Sequence, residues 1–283
     1  MDAAWNNFFQ STGLSERVIF AVGSVLIHWT VFWGYNAFLY FCYKNNWFPE
    51  QRIEKDVFPS QELINENLRE LAKNHLLVQP IGIYMIYPLF VSFGLQVYGP
   101  LPAWSTVIRD FVVSIALNDT LFYWAHRIFH HASIYKYIHK QHHRYNHSIG
   151  IACEFAHPVE DILANLLPTL IGCLLMGSHA FTLWLWLAFR LWETLDVHSG
   201  YSWKWSPFSM FSWQGGSERH YFHHSHNVGC YGSFTIFWDW ITGKTTNMFE
   251  IYFSVSLLSP SLGTDAEFLK YQAAKNAKKN KAN

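Results

Sequence analysis

The chain has 283 residues, of which 51% are hydrophobic, 19% are aromatic and only 14% are charged. An ordinary soluble domain has about 25% charged residues. The composition therefore excludes a disordered chain, a coiled coil and a highly charged nucleic-acid-binding protein. Lys plus Arg and Asp plus Glu are equal at 20 each, so no net charge attracts an acidic partner and no nucleic acid is expected. The four cysteines form no C-x-x-C pair, which excludes a disulfide framework and a thiolate zinc site, whereas the sixteen histidines are unusually many.

Charged residues are absent from three long stretches of the chain, residues 18–43, 74–108 and 162–189. A helix needs about 20 apolar residues to cross the hydrocarbon core of a bilayer. In chain order, the predicted helices cover residues 18–43, 76–98, 104–125, 162–176 and 180–195. The last two are short and form a hairpin that only partly crosses. The sequence therefore predicts an all-α integral membrane protein with four to five transmembrane helices. A soluble bundle of buried helices is the disfavoured alternative, because three such stretches are hard to place in one water-soluble core.

Lysine and arginine lie mostly on one side of the predicted helices, because 17 of the 20 fall in residues 44–75, in residues 126–160 and after His198. Cytosolic loops carry the excess of these residues, so this side, which also holds most of the histidines, is predicted to face the cytosol. Lys279 and Lys281 match a dilysine retrieval signal and predict the endoplasmic reticulum membrane; a solvated lysine-rich tail is the alternative.

The charge pattern and the motifs divide the chain into three predicted parts. Residues 1–75 hold the first membrane helix and a cytosolic connector, residues 76–250 form the catalytic domain, and residues 251–283 form a cytosolic tail with the dilysine-type signal.

Three histidine boxes carry the predicted chemistry. The first is an H-x-x-x-H motif, and the second and third are H-x-x-H-H motifs. Positions i, i+3 and i+4 share one face of a helix, so each box can direct two or three imidazoles at one point. One further histidine lies at the cytosolic end of the last apolar helix. The candidate metal-binding imidazoles are those of His126, His130, His139, His142, His143, His198, His220, His223 and His224.

So many imidazoles exceed what a single four-coordinate zinc ion needs. They predict a cytosolic, histidine-rich helical cap that holds a di-metal centre. Imidazole binds iron, zinc, copper and nickel alike, so the ligand type leaves the metal open. Regulatory zinc binding or pH sensing is the alternative. The absence of H-E-x-x-H excludes the usual metalloprotease site, and His28, inside the first helix, is predicted to be structural.

Two aspartates are predicted to orient ligand imidazoles from outside. Asp119 lies seven residues before His126, two helical turns back on the same face, and Asp196 lies just before His198. Ligating histidines usually donate their second ring N–H to such an acceptor. An internal ion pair is the alternative for each aspartate. The aromatic residues between His198 and His220 predict an interfacial segment that admits a lipid from the bilayer.

Four further stretches accompany the boxes. They read NDTLFYWAHR at residues 118–127, EFAHPVE at 154–160, DVHSGY at 196–201 and FWDWITG at 237–243. With the boxes, they resemble the fatty acid hydroxylase / sterol desaturase superfamily over about residues 76–249, and most closely its sterol C4-methyl oxidase (methylsterol monooxygenase) branch. The WQGG and HHSH stretches, at 213–216 and 223–226, rather resemble the cholesterol 25-hydroxylase branch, which leaves the oxidised carbon open.

The resemblance implies a membrane oxygenase with two iron ions, dioxygen as co-substrate, and electrons from cytochrome b5 and its NAD(P)H-dependent reductase. Zinc could replace iron on purification. The implied substrate is a 4-methyl sterol reached from the membrane lipid, whose C4 methyl group is oxidised stepwise to alcohol, aldehyde and carboxylate in sterol biosynthesis.

The resemblance also implies that the nine box and near-box histidines are the iron ligands. Four further histidines adjoin a box or motif and are weaker candidates, namely His131, His147, His157 and His226. A sterol side-chain hydroxylase and a sterol desaturase are the alternative enzymes. A membrane metal-binding or sterol-sensing scaffold is the alternative without catalysis.

Overall fold

The computed structural model describes residues 2–55, 57–211, 213–244, 268, 270–275 and 277. Within these residues the secondary structure is helical, and the extended pairs are two isolated antiparallel bridges, Arg52 with Tyr201 and Gln214 with Thr235. The predicted all-α class is therefore confirmed. The predicted dilysine signal lies outside the described residues.

The N-terminal half contains four helices. A short helix, α1 (Asp2–Ser11), precedes the long helix α2 (Glu16–Lys44), which Ser15 caps by accepting a hydrogen bond from the backbone N–H of Val18. Helix α3 (Gln61–Lys73) continues through a π-helical turn (Asn74–Val78) into α4 (Gln79–Ser92). The helix predicted for residues 76–98 therefore begins earlier and ends earlier than its charge-free stretch, because the polar first part is also helical and hydropathy does not detect it.

The C-terminal half supplies the remaining helices. Helix α5 (Trp104–Phe129) is followed by a single turn, α6 (Ala132–Tyr135), and 3-10 turns. The next helix begins as α7 (Pro158–Glu160), passes through a π turn (Asp161–Leu166) and ends as α8 (Leu167–Leu175). Three more helices follow, namely α9 (Ala180–Val197), α10 (Gly216–His226) and α11 (Phe237–Lys244).

Among the described residues, three continuous helices are long and apolar enough to cross a membrane: Glu16–Lys44, Gln61–Ser92 and Pro158–Leu175. Helices α5 and α9 cover two further segments predicted to span, but each carries several charged residues, which places them outside this group. Ile108 and Val112 on α5 are nevertheless 61% exposed, as expected for side chains that face lipid. The protein is thus an all-helical membrane protein, and the number of crossings stays a prediction.

Close helix contacts depend on small residues. A Cβ atom at Gly172 on α8 would clash with Ser114 on α5, and one at Gly23 on α2 would clash with the Trp184 ring on α9. Small residues let helix backbones approach each other in membrane proteins, where packing rather than water exclusion holds helices together. These contacts connect α5 with α8 and α2 with α9, and they bring the C-terminal ends of α5 and α9 toward the histidine boxes.

Candidate metal centre

Four chain segments bring the predicted histidines together. The last turn of α5 carries His126 and leads to His130, and the loop after α6 carries the second box, partly in a 3-10 turn (His142–Arg144). His198 is the C-terminal cap of α9, and α10 carries the third box. Eight of the nine imidazoles are buried, and that of His130 is partly buried.

Five of these imidazoles form a first group, in which one ring nitrogen from each lies within 4.8 Å of one ring nitrogen of every other. The Nε2 atoms of His130 and His223 are 3.1 Å apart, and those of His139 and His143 are 3.0 Å apart. The Nε2 atom of His126 is buried and has no hydrogen-bond partner. All three boxes contribute to this group.

The other four imidazoles, those of His142, His198, His220 and His224, form a second group under the same 4.8 Å limit. Successive Nε2 atoms along His142, His198, His220 and His224 are 3.4, 2.8 and 3.0 Å apart. Neighbouring residues on a helix point about 100° apart, which explains why the adjacent pairs 142/143 and 223/224 divide between the groups. The His143 and His224 rings stack with centroids 4.8 Å apart, so the two groups adjoin.

Several of the outward ring nitrogens have fixed acceptors, whereas Nδ1 of His142, His143 and His224 is buried without a hydrogen-bond partner within the described residues. His126 Nδ1 donates to the carbonyl of Tyr231 at 3.0 Å, and His198 Nδ1 donates to that of Thr194 at 2.7 Å. His223 Nδ1 likewise meets the Gly229 carbonyl at 2.6 Å. These bonds place the proton on Nδ1 and leave the Nε2 lone pair facing inward, which is the tautomer that a metal ligand needs.

Glu160 supplies the one carboxylate that contacts a box imidazole within the described residues. Its Oε1 accepts a hydrogen bond from His139 Nδ1 at 2.7 Å, and both side chains are almost fully buried. The sequence reasoning missed this residue. It lies in the EFAHPVE stretch that carried the family resemblance, but no spacing relates it to His139, which is 21 residues earlier.

The structure differs from the sequence prediction for the two aspartates. Asp119 Oδ1 accepts from the backbone N–H of Phe234 at 2.9 Å. Asp196 accepts from Tyr35 and Ser206 at 2.8 and 2.7 Å. Within the described part of the chain, neither bonds an imidazole. Seven residues separate Asp119 from His126 by about 10.5 Å along the helix axis, and two residues turn Asp196 about 200° away from His198.

The four weaker histidine candidates lie outside both groups. His131 and His157 cap short helices by accepting from the backbone N–H two residues later, at 3.3 and 3.2 Å. His147 Nδ1 contacts the Tyr221 hydroxyl at 2.6 Å. His226 Nδ1 contacts the Ser225 hydroxyl at 2.8 Å. Each imidazole therefore has a local structural contact in place of the clusters.

The two imidazole groups fit bound cations. Burial lowers the pKa of His142 to about 4 and that of His223 to about 3, so these rings are neutral and keep their lone pairs. Several lone pairs directed at one point repel each other unless a cation lies between them. Two nitrogens that each lie about 2.1 Å from one ion are about 3.0–3.4 Å apart, and most of the observed spacings match this range.

A cavity of about 40 Å³ borders both groups, which is room for a hydroxyl or methyl group of a ligand and less than the volume of a whole small-molecule site. His126 and His139 of the first group and His198 of the second line its wall. Arg190 and Glu193, which are charged and buried, line it as well. A ligand group that enters this cavity would lie beside the imidazole groups and a buried ion pair at the same time.

A third cluster lies apart from the boxes and has a different character. The Nε2 atoms of His28 and His75 lie 2.9 and 2.8 Å from the two carboxylate oxygens of Glu154. Trp33 Nε1 donates to His75 Nδ1 at 3.2 Å. An indole nitrogen only donates, so the His75 proton lies on Nε2 and is donated to Glu154. This tautomer makes His75 neutral and favours a hydrogen-bonded network that joins α2 to the α3–α4 connection; the structural role of His28 stays a prediction.

The profile of the fatty acid hydroxylase family matches residues 111–244, which contain all nine clustered histidines. Methylsterol monooxygenase 2-2 of Arabidopsis thaliana is 31% identical over 247 residues, which cover 86% of this chain and 91% of that protein. The chain belongs to the fatty acid hydroxylase family. The family resemblance that the histidine boxes indicated is thereby confirmed, and with it a metal-dependent hydroxylase.

Other relatives carry two kinds of name. The very-long-chain aldehyde decarbonylase GL1-11 of Oryza sativa subsp. indica is 34% identical over 249 residues, which cover 86% of this chain and 91% of the rice protein. The C-4 methylsterol oxidase of Candida albicans is 36% identical over 200 residues, which cover 69% of this chain and 65% of the yeast protein. No solved structure matches the chain.

Proposed function

We propose that this protein is a di-iron oxygenase of the endoplasmic reticulum membrane that oxidises the C4 methyl group of 4-methyl sterols. The observation that carries the proposal is the pair of imidazole groups, five and four residues strong, that border one cavity. Relatives named methylsterol monooxygenase and C-4 methylsterol oxidase support the substrate class.

The first step of the proposed reaction inserts one oxygen atom into a methyl C–H bond. One dioxygen molecule, two electrons and two protons convert the methyl group into a primary alcohol and release one water. Bound iron would supply the redox chemistry that activates dioxygen, which zinc lacks. Two further oxidations of the same carbon would give the aldehyde and then the carboxylate. Zinc that replaces iron on purification would leave an inactive protein.

The protein's own groups hold the proposed site. The nine box and near-box imidazoles would be the ligands, and backbone carbonyls on Nδ1 fix the ring orientations of His126, His198 and His223. Glu160 would make His139 a stronger ligand, because a carboxylate acceptor raises the basicity of an imidazole.

A hydrophobic segment beside the cavity supports entry of a membrane lipid. Trp205, Phe211 and Trp213 are each at least 50% exposed, and Gly215 and Gly216, which line the cavity, follow directly. Exposed aromatic side chains favour the interface between membrane and water. We infer that this segment dips into the cytosolic leaflet and admits the sterol from there.

The electron donor would dock on the same cytosolic face. The positive-inside pattern supports this orientation of the boxes. Lys136 and Lys140 are exposed beside the second box and would attract an acidic donor such as cytochrome b5, which its NAD(P)H-dependent reductase reduces. Arg144 contributes less to this attraction, because its guanidinium forms a bidentate pair with Glu66 at 2.6 and 2.7 Å.

Product analysis with purified components tests the proposal. The full-length protein is reconstituted with iron, cytochrome b5, reductase and NADH, and it receives a 4,4-dimethyl sterol under air. We expect C4 alcohol, aldehyde and carboxylate products that require dioxygen. A parallel reaction with a very-long-chain aldehyde tests the activity for which the rice relatives are named. Hydroxylation of the sterol side chain, or loss of the aldehyde without sterol oxidation, would contradict the proposal.

A further inference from the structure

One buried ion pair on the cavity wall has no role in holding the imidazoles. Arg190 Nη1 donates to Glu193 Oε2 at 2.6 Å on helix α9. Arg190 is 6% exposed and Glu193 is 1% exposed, although both residues line the cavity. Charged side chains are costly inside a membrane protein, and those that occur there generally serve a function.

The pair keeps hydrogen-bonding capacity toward the cavity. Within the described residues, Arg190 uses Nη1 for Glu193 and Nε for Asn118 Oδ1 at 3.0 Å, whereas a guanidinium has five N–H donors. In the part of the chain that the structure describes, Glu193 Oε1 receives only a long contact of 3.4 Å from the Ser233 hydroxyl. A carboxylate accepts about four hydrogen bonds, so a further donor and a further acceptor are available.

The position of the pair relates it to the imidazole groups. Arg190, Glu193, Thr194, Val197 and His198 follow the spacing i, i+3, i+4, i+7 and i+8, so they share one face of α9, and all five line the cavity. Five residues separate Glu193 from His198, which corresponds to about 7.5 Å along the axis. A small molecule could therefore contact the ion pair with one end while its other end lies beside the second imidazole group.

We propose that Arg190 and Glu193 bind the 3-hydroxyl group of the sterol and so direct the neighbouring C4 methyl group at the metal centre. This inference rests on the proposed function. The carbon that carries the hydroxyl group is bonded to C4, so anchoring the hydroxyl positions the methyl group that is oxidised. A hydroxyl both donates and accepts: it donates to Glu193 and accepts from Arg190.

This pair would distinguish a sterol from a long-chain aldehyde. An aldehyde carries no hydroxyl group next to an oxidisable methyl group, so it would leave the buried donor and acceptor without partners. A site built to bind a hydroxyl strongly rejects analogues that lack it. Arg190 and Glu193 are thus positioning residues, which act on substrate orientation and specificity.

The test compares two sterols that differ only at carbon 3. Wild-type protein receives a 4,4-dimethyl sterol with a free 3-hydroxyl or its 3-deoxy analogue, and both turnover and equilibrium binding of each sterol are measured. We expect the hydroxyl to raise kcat/KM by about 100-fold or more. In Glu193→Gln the ratio of kcat/KM for the hydroxyl sterol to kcat/KM for the deoxy sterol should fall at least tenfold. The fall should arise chiefly from KM, while bound metal stays at the wild-type level.

The matched control is another buried carboxylate in an ion pair. Asp110 on α5 is 1% exposed and pairs with Arg109 at 2.8 Å and with Ser178, and it does not line the cavity. Asp110→Asn should therefore keep the wild-type preference for the hydroxyl sterol. A loss of preference in both variants would indicate a general defect of folding and would overturn the specific assignment.

Failure of this inference and failure of the proposed function give different results. If the wild-type protein oxidises or binds both sterols equally well, the ion pair does not read the hydroxyl and the inference is overturned, even if C4 oxidation occurs. If no sterol is oxidised, yet the hydroxyl sterol binds more tightly and Glu193→Gln removes that difference, the inference holds and the proposed reaction fails. The comparison of the two sterols with the wild-type protein tests the inference even if the Glu193→Gln variant does not fold.

Discussion

Removing the carboxylate of Glu160 tests whether the outward hydrogen bonds of the imidazoles control metal binding. In Glu160→Ala, His139 Nδ1 loses its acceptor at 2.7 Å, in a site where both side chains are at most 5% exposed, so water is poorly placed to replace it. Burial disfavours the ionised form of Glu160, whereas the positive charge of bound metal favours it. A hydrogen bond to a charged group contributes about 1.5–3 kcal/mol, which corresponds to about 10- to 150-fold in affinity. The loss of an acceptor behind a metal ligand typically costs about 10- to 100-fold in metal affinity, which overlaps this range.

The assay measures metal retention and turnover. Purified full-length variants are challenged with a graded series of chelator, and the remaining iron is quantified by mass spectrometry. Glu160→Ala should lose its metal at about 10- to 150-fold lower chelator activity than the wild type. Glu160→Gln should lie between the two, because its amide oxygen still accepts from Nδ1 but carries no charge.

A surface variant provides the control for this experiment. Glu66 pairs with Arg144 at 2.6 Å, but the Arg144 and Glu66 side chains are 45% and 35% exposed, and exposed pairs contribute about 0–1 kcal/mol. Glu66→Gln should therefore retain metal as the wild type does. Wild-type chelator resistance and turnover in Glu160→Ala would refute the reasoning, because they would mean that the bond to His139 does not tune the site.

Three further predictions concern the metal count, the helix packing and pH. His142→Ala and His223→Ala should each lower the bound metal by about one ion, measured as metal per chain; loss of both ions in both variants would mean that the groups act as one site. Gly172→Val should lower the thermal midpoint sharply, because its side chain would clash with Ser114, whereas Gly34→Val, at an open position, should lower it much less. For the metal-free protein, burial lowers the pKa of His142 to about 4 from an ordinary 6.5, so the unfolded state binds more protons in this window, and the free energy of unfolding should fall as pH drops from 6.5 to 4. An equal thermal midpoint at pH 7 and pH 5 would contradict this.

Local patterns made much of the architecture predictable. The long charge-free stretches indicated helices, because a hydrocarbon environment requires apolar side chains and internally bonded backbone. The histidine boxes were visible because ligands three and four residues apart share a helix face, which is a property of the local chain. The same boxes carried the family assignment. The ligand roles and the number of crossings stay predictions.

Two of the predictions that differ from the structure are the contact of Asp119 with His126 and the start of the second membrane helix. Asp119 shares a face with His126, but a shared face does not bring two side chains two turns apart into contact. Hydropathy also placed the second membrane helix too late, because the polar helix before it continues through a π turn without a break.

The sequence by itself determined the helical membrane class, the family and the set of histidines, because apolar runs and i, i+3, i+4 spacings act within a single helix. Only the tertiary structure decided how these histidines divide into groups of five and four, and which atoms accept from their outer nitrogens. His126 bonds a carbonyl 105 residues away, and backbone carbonyls carry no signature of their own in a sequence. The same packing turned Arg190 and Glu193 toward the cavity, because only the approach of distant helices creates that cavity.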